Sequence, residues 1–463
     1  MPSPYLAAPA ALALVASLAN AQPASRAVLI QRLDSIAGAP TKSGAVAGMA
    51  VAVVRGRDTL LMKGYGFADV ENQLPVTPLS VFRIGSVTKQ FTSAAVMQLV
   101  EQGKVGRDDE ITKYIPGFPT NGRHILVRHL LNHTSGIPSY TDVGPQFGKV
   151  MRLDLTRDSL IATVAHDSLM FEPGTHMYYN NTGYFMLGMI IEKVTGKKYG
   201  DYLGEKLFAP NGLAGTTYCD VKKLIPHRAQ GYERNAAGLA NADYISMELP
   251  FAAGSLCSTV RDLVSWTRKL HAGTIVSAAS FREMTTPVRL PSKRPMTYGY
   301  GLIADSMGSH RLISHGGGIN GFISELMHFP DDSLTIAVLA NTSPAPSSAV
   351  AGALARAVLG LPTPPAPAPA KESSLTAAER ARYVGNYLLT RPDGSRSKVR
   401  IAEEGEHLTL TAEGQTAAPM ASQGMEIFTA RGLGRIAFDM ADGRASGFVA
   451  GGGVRTLEAV RVP

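Results

Sequence analysis

The sequence predicts an α+β protein: an antiparallel sheet flanked by helices, an all-helical insertion, and a small all-β domain at the C-terminal end. Three observations carry this expectation. Strand-like runs lie near both ends of the first 360 residues with a helix-rich stretch between them. If the outer strands share a sheet, the helical middle must be an insertion. A segment with Pro362, Pro364, Pro365, Pro367 and Pro369 among alanines then forms a stiff, extended linker. Beyond it, short alternating runs are separated by glycine-containing turns, the spacing of an antiparallel barrel or sandwich. The expected boundaries are a leader at 1–21, a main domain at 25–360, the linker at 361–374 and the β domain at 375–463.

Taken in order, the first 21 residues carry no charged side chain and include the apolar run Leu12-Ala13-Leu14-Val15-Ala16. They close on Ala19-Asn20-Ala21, a small-residue cleavage signal, so the chain is expected to be exported to the periplasm or the exterior. The apolar run is too short for a membrane span, and none is expected in the mature chain. Residues 25–38 carry apolar side chains at helical spacing and should stop at Gly38. Strands are expected at 49–54 and 60–65 around the turn Arg55-Gly56-Arg57-Asp58. A long helix should run from Ser86 to about Gln102 and end at Gly103. Helices follow at 126–132, 157–166, 182–195 and 260–271. Strands return at 298–304, 311–315, 321–329 and 334–340, and a helix at 347–358 closes the domain. In the last segment strands are expected at 398–401, 408–410, 426–428, 435–438 and 456–460.

Composition narrows the function classes. At 463 residues, 45% hydrophobic and 18% charged, the chain is globular rather than disordered, and long enough for two domains. Its net charge of +8 comes from 45 basic and 37 acidic residues scattered along the chain. Without a dense basic run or a zinc-finger spacing, nucleic acid is not an expected partner. The mild basic excess suits anionic small molecules or an anionic envelope. The two cysteines, Cys219 and Cys257, form no C-x-x-C pair; an oxidising compartment would allow a bridge between them, but two buried free thiols are the preferred reading. His124, His129 and His133 lack the glutamate of a zinc-protease helix and read as structural, so no metal or cofactor is expected.

The segment that can do chemistry is Phe82-Arg83-Ile84-Gly85-Ser86-Val87-Thr88-Lys89. Ser86 and Lys89 are three apart, hence on one face of a helix starting there. A serine hydroxyl is a poor nucleophile alone and needs a neighbouring base, which S-x-x-K supplies within one turn. On its own this spacing equally fits an N-cap serine and a solvated lysine. Two further segments follow: Tyr178-Tyr179-Asn180-Asn181-Thr182-Gly183 ahead of a helical run, and Ser314-His315-Gly316-Gly317-Gly318 after a strand-like one. A lipase reading of the His-Gly-Gly-Gly run fails, because no G-x-S-x-G elbow occurs in the chain.

The order S-x-x-K, Y-x-N, H-x-G resembles the class C β-lactamases and penicillin-binding-protein-like serine hydrolases, which include D,D-peptidases, D-aminopeptidases and esterases. The segments 127–136, 171–175 and 252–256 resemble further landmarks of that family, so the similarity spans about 30–360. Tyr383-Val384-Gly385-Asn386-Tyr387 resembles the start of a lipocalin-like domain attached to some members. The resemblance implies Ser86 as the acylated nucleophile, Lys89 as the group easing its deprotonation, and Tyr179 as a proton shuttle. It implies Asn181 as a contact for the substrate amide and for Lys89. It further implies an oxyanion hole from the backbone N–H groups of Ser86 and Gly318, with Gly317 on the same strand. His315 stands where β-lactamases proper usually have lysine. A histidine there is cationic only below about pH 6.5 unless perturbed, so a carboxylate contact through it would depend on pH. The expected substrate is a D-amino-acid peptide or amide, a small ester or a peptidoglycan-like molecule. The alternatives are a true β-lactamase and, in another class, a non-catalytic β-lactam or muropeptide sensor.

Overall fold

The structure is a computed structural model that describes residues 26–462 apart from 143–146, 166–168, 292–295, 364–374, 391–395, 414–415, 425, 431–433 and 453–454. The expected leader and most of the proline-rich segment therefore lie outside the described residues. Among the described residues no helix is long and apolar enough to cross a membrane.

The main sheet is built from β1 (Gly48–Arg55), β2 (Asp58–Asp69), β3 (Ile303–Met307), β4 (His310–Ile319), β5 (Phe322–Phe329) and β6 (Leu334–Ala340). With the short strand Leu74–Pro75 at one edge, the spatial order is Leu74–Pro75, β2, β1, β6, β5, β4, β3. The first and last strands of the domain do meet: β1 pairs antiparallel with β6 in the register Ala52↔Ala337. Both are buried almost end to end, which is why they read as continuous apolar runs rather than alternating ones. The alternation is instead between two buried faces. Val51, Val53, Ile336 and Val338 face α1 (Arg26–Lys42) and α5 (Ser347–Leu359), while Ala50, Ala52, Ala337 and Leu339 join the cluster on the other side. Truncating a fully buried residue such as Ile336 to alanine costs roughly 2–5 kcal/mol.

That other side holds the helical insertion, with α2 (Thr88–Glu101), α3 (Asn181–Thr195) and α4 (Val260–His271). α2 is buried on nearly all sides, so it carries no clear amphipathic stripe and forms the middle of the core. Its Phe91 stacks on Trp266 of α4 at 3.9 Å between ring centroids, and the Trp266 indole donates to Gln90 Oε1. α3 starts at the cap Asn180, whose Oδ1 accepts from the Gly183 N–H, and ends at Gly196 in the left-handed region.

The C-terminal segment is a closed eight-stranded barrel of sequential neighbours, preceded by the helix Ala377–Ala381. Its strands are β7 (Gly385–Thr390), β8 (Arg396–Glu404), β9 (His407–Ala412), β10 (Ala418–Gly424), β11 (Ile427–Ala430), β12 (Gly434–Ala441), β13 (Arg444–Gly452) and β14 (Arg455–Val462). Tyr383, Tyr387, Phe428, Phe438 and Phe448 form one buried aromatic cluster in it, as expected for a barrel of this size filled by side chains.

Three expectations need correction. The first helix does not stop at Gly38 but continues to Lys42 through Pro40. The missing side chain at Gly38 serves packing, since a Cβ there would meet the Tyr65 ring at 3.3 Å. No strand spans 298–302; β3 begins at Ile303 after a turn in which Gly301 has φ +70°. The cysteines are not free thiols. The strands Thr217–Tyr218 and Leu256–Ser258 pair antiparallel, which brings the Cα atoms of Cys219 and Cys257 to 5.1 Å, and the two are disulfide-bonded.

Candidate active site

The S-x-x-K segment folds as one 3-10 turn, Gly85–Val87, leading directly into α2. Gly85 adopts φ +49°, and a Cβ there would lie 2.8 Å from the Gly318 amide nitrogen, so both conformation and contact require glycine. Lys89, one turn after Ser86, is fully buried. Its Nζ donates to Ser86 Oγ at 3.1 Å, to Asn181 Oδ1 at 2.8 Å and to the Ala253 carbonyl at 2.8 Å. An ammonium has three N–H groups, and these three acceptors satisfy a charge that burial would otherwise make costly. Asn181, the first residue of α3, is itself held: its Nδ2 donates to Thr141 Oγ1 and its backbone N–H to Ser139 Oγ.

Tyr179 projects from the segment ahead of α3 and is buried, with Lys89 Nζ 4.7 Å from its ring centroid. It lies in an aromatic group with His133, Tyr184, Tyr298 and His315, its ring 4.3 Å from the His133 imidazole.

The third wall is β4. Strand β3 covers its edge only as far as Ser314, and beyond that point the Gly85–Ser86 turn takes β3's place. A Cβ at Gly317 would lie 2.1 Å from the Ile84 carbonyl and 3.0 Å from the Ser86 nitrogen. Ser324, opposite Gly317 on β5, donates to that same Ile84 carbonyl at 2.8 Å and ties the turn to the sheet. The glycine run is thus a close backbone approach that places Gly317 and Gly318 against the Ser86 turn.

His315 is beside the site but committed elsewhere. Its Nδ1 is 2.6 Å from the Gly316 carbonyl, which can only accept, so the ring proton is on Nδ1. Nε2 then accepts from the Tyr298 hydroxyl at 3.0 Å. Burial, with the Lys89 charge behind it, pulls the imidazole pKa down to about 4. A substrate carboxylate beside His315 would therefore meet a neutral ring with no spare donor.

The structure thus brings together Ser86, Lys89, Tyr179, Asn181, Gly317 and Gly318, and keeps His315 adjacent as a neutral ring. The sequence reading did not single out Tyr298 or Thr141 for the site, and it treated His133 as a structural histidine. His124 and His129 stay apart from the site: His124 pairs with Glu110, and His129 Nδ1 accepts from the Leu126 N–H. Among the described residues no cluster could hold a metal ion.

Known proteins resemble this chain over much of its length. The chain is 29% identical over 419 residues to penicillin-binding protein 4* of Bacillus subtilis, covering 86% of this chain and 91% of that protein. It is 27% identical to a D-aminopeptidase of Gluconobacter oxydans over 67% of this chain, but spans only 59% of that protein. Among solved structures, D-amino acid amidase from Ochrobactrum anthropi SV3 complexed with L-phenylalanine amide superposes with a TM-score of 0.64. It is 28% identical, over 72% of this chain and 99% of that one. The family model described as Beta-lactamase matches residues 32–361, more than half of the chain, and the chain belongs to that family of serine hydrolases.

Proposed function

We propose that the protein hydrolyses D-amino-acid amides or short peptides, or small esters, through an acyl-enzyme on Ser86. The observation that carries this is Lys89 Nζ, buried and shared between Ser86 Oγ and Asn181 Oδ1. In this reading Ser86 Oγ attacks the substrate carbonyl carbon while its proton passes to the Tyr179 oxygen, which acts as a phenolate stabilised by the Lys89 ammonium. The tetrahedral oxyanion is held by the Ser86 and Gly318 N–H groups. The C–N or C–O bond then breaks, the proton goes to the leaving group, and water releases the acyl chain by the reverse route. Asn181 orients the substrate amide and holds Lys89. The names of the amidase and aminopeptidase relatives support D-amino-acid substrates. His315 weighs against a true β-lactamase, in which a lysine at this position would hold the substrate carboxylate with a permanent cation.

The leader-like segment supports export, and the Cys219–Cys257 bridge supports an oxidising compartment. The test is a panel of D-aminoacyl amides, short-chain esters and a chromogenic cephalosporin, run with phosphonate labelling. We expect turnover of the amides or esters and one label, on Ser86. Ser86→Ala should lose both while its melting temperature stays within a few degrees. Label on another serine, or full activity in Ser86→Ala, overturns the assignment. Binding of the cephalosporin without turnover of any substrate would make the chain a sensor.

A further inference from the structure

We infer that His133 is a positioning residue for Tyr179, an inference that rests on the catalytic reading of Ser86, Lys89 and Tyr179 above. The observation is that His133 grips the chain on both sides of that tyrosine. Its backbone carbonyl accepts from the Tyr178 N–H at 2.9 Å, and its Nδ1 is 3.3 Å from the Asn180 nitrogen, which donates to it. The residue between these two bonds is Tyr179, whose ring lies on the imidazole at 4.3 Å. The grip needs an unusual backbone. His133 sits at φ +62°, in the left-handed region that side chains other than asparagine, aspartate and histidine rarely adopt.

The same bonds fix the ring's protonation. An Nδ1 that accepts from an amide leaves the proton on Nε2, and Nε2 is buried without a hydrogen-bond partner among the described residues. A buried donor without an acceptor is costly, and here it accompanies the Nδ1 contact to the Asn180 N–H. Burial together with the Lys89 charge holds the imidazole neutral, which preserves the accepting lone pair. The partner Asn180 is fixed in turn, with Oδ1 accepting from the Gly183 N–H and Nδ2 donating to the Ile137 carbonyl. His133 therefore transmits the rigidity of the α3 cap to the phenol that stands over Lys89.

Two substitutions separate positioning from packing. His133→Asn suits the left-handed backbone, and its Oδ1 replaces Nδ1 as acceptor. His133→Phe keeps the ring and loses the acceptor. Rates are measured per competent site, counted by phosphonate burst titration. His133→Phe should lower kcat about 10- to 100-fold, with KM changed less than about threefold, because a displaced phenol slows chemistry rather than binding. His133→Asn should recover at least half of that loss on a logarithmic scale. Should the phenylalanine chain fail to fold, His133→Met also lacks the amide acceptor and is expected to show the same deficit. A kcat per site within twofold of wild type in the Phe or Met variant overturns the inference, even if the melting temperature falls. So does a deficit in Asn as large as that in Phe. Failure of the underlying reading is distinguishable, since it appears as activity in Ser86→Ala.

Discussion

With Nδ1 donating to the Gly316 carbonyl and Nε2 accepting from Tyr298, His315 has no proton to offer a substrate carboxylate. Its pKa near 4 means the ring is neutral in the folded protein at all but acid pH. The ratio of kcat/KM for a carboxylated ester over a matched neutral ester should therefore stay flat from about pH 5 to 9. Titration of Lys89 and Tyr179 affects both esters and divides out of the ratio. A rise of the ratio below about pH 6.5 would show that His315 does titrate as a free imidazole. His315→Lys should raise the ratio about tenfold, the worth of one charge-assisted contact of ~1.5 kcal/mol. The sequence puts this residue in the third motif. Its state depends on Tyr298, seventeen residues earlier, which no motif ties to it.

At the scale of elements, the contact between β5 and α5 contains a buried carboxylate on the strand next to β4. Glu325 pairs in register with Gly316, is 6% exposed, and accepts a hydrogen bond from Ser348 of α5. Burial pushes its pKa up from 4.5 to about 7, so the folded state holds a proton that the unfolded state releases near 4.5. Stability from this group is complete below about pH 4.5 and is lost as pH rises toward 7. Glu325→Gln removes the titration but keeps an acceptor for Ser348. Urea unfolding at pH 4.5 and pH 8 should show wild type losing more stability than the variant, by on the order of 2–3 kcal/mol. Equal losses in the two chains would place the carboxylate in contact with water. Element positions were largely legible: 260–271 was expected as a helix and is one, because Thr259 caps it and its apolar face repeats cleanly. The stretch 298–302 misled, since its alternating aromatic and glycine residues fit a strand while Gly301 needs a left-handed turn.

For the whole molecule, the barrel's core shares no residue with the clusters of the main domain. Its buried members run from Tyr383 to Ala459, whereas those of the other clusters end at Ala357. Each part should therefore fold on its own core. Deleting residues 372–463 is expected to leave a cooperatively unfolding chain whose melting temperature is within about 5 °C of the main transition of the full protein. If the shortened chain is recovered only as aggregate, the two parts depend on each other and the boundary proposed at 361–374 is wrong. Barrel and sandwich share the same local alternation, so only the pairing of β7 with β14 decided between them.

By itself the sequence determined which residues could do chemistry, in what order they lie, and that distant strands bracket a helical insertion. These are local properties: spacing along a helix, apolar periodicity, and glycine where the backbone must approach closely. The tertiary structure alone decided that Cys219 meets Cys257, that His315 is neutral, and that His133 holds the flanks of Tyr179. Each of those outcomes depends on a partner from a separate element. Hydrogen-bond saturation and burial of a charge are properties of the assembled neighbourhood, not of the residue type.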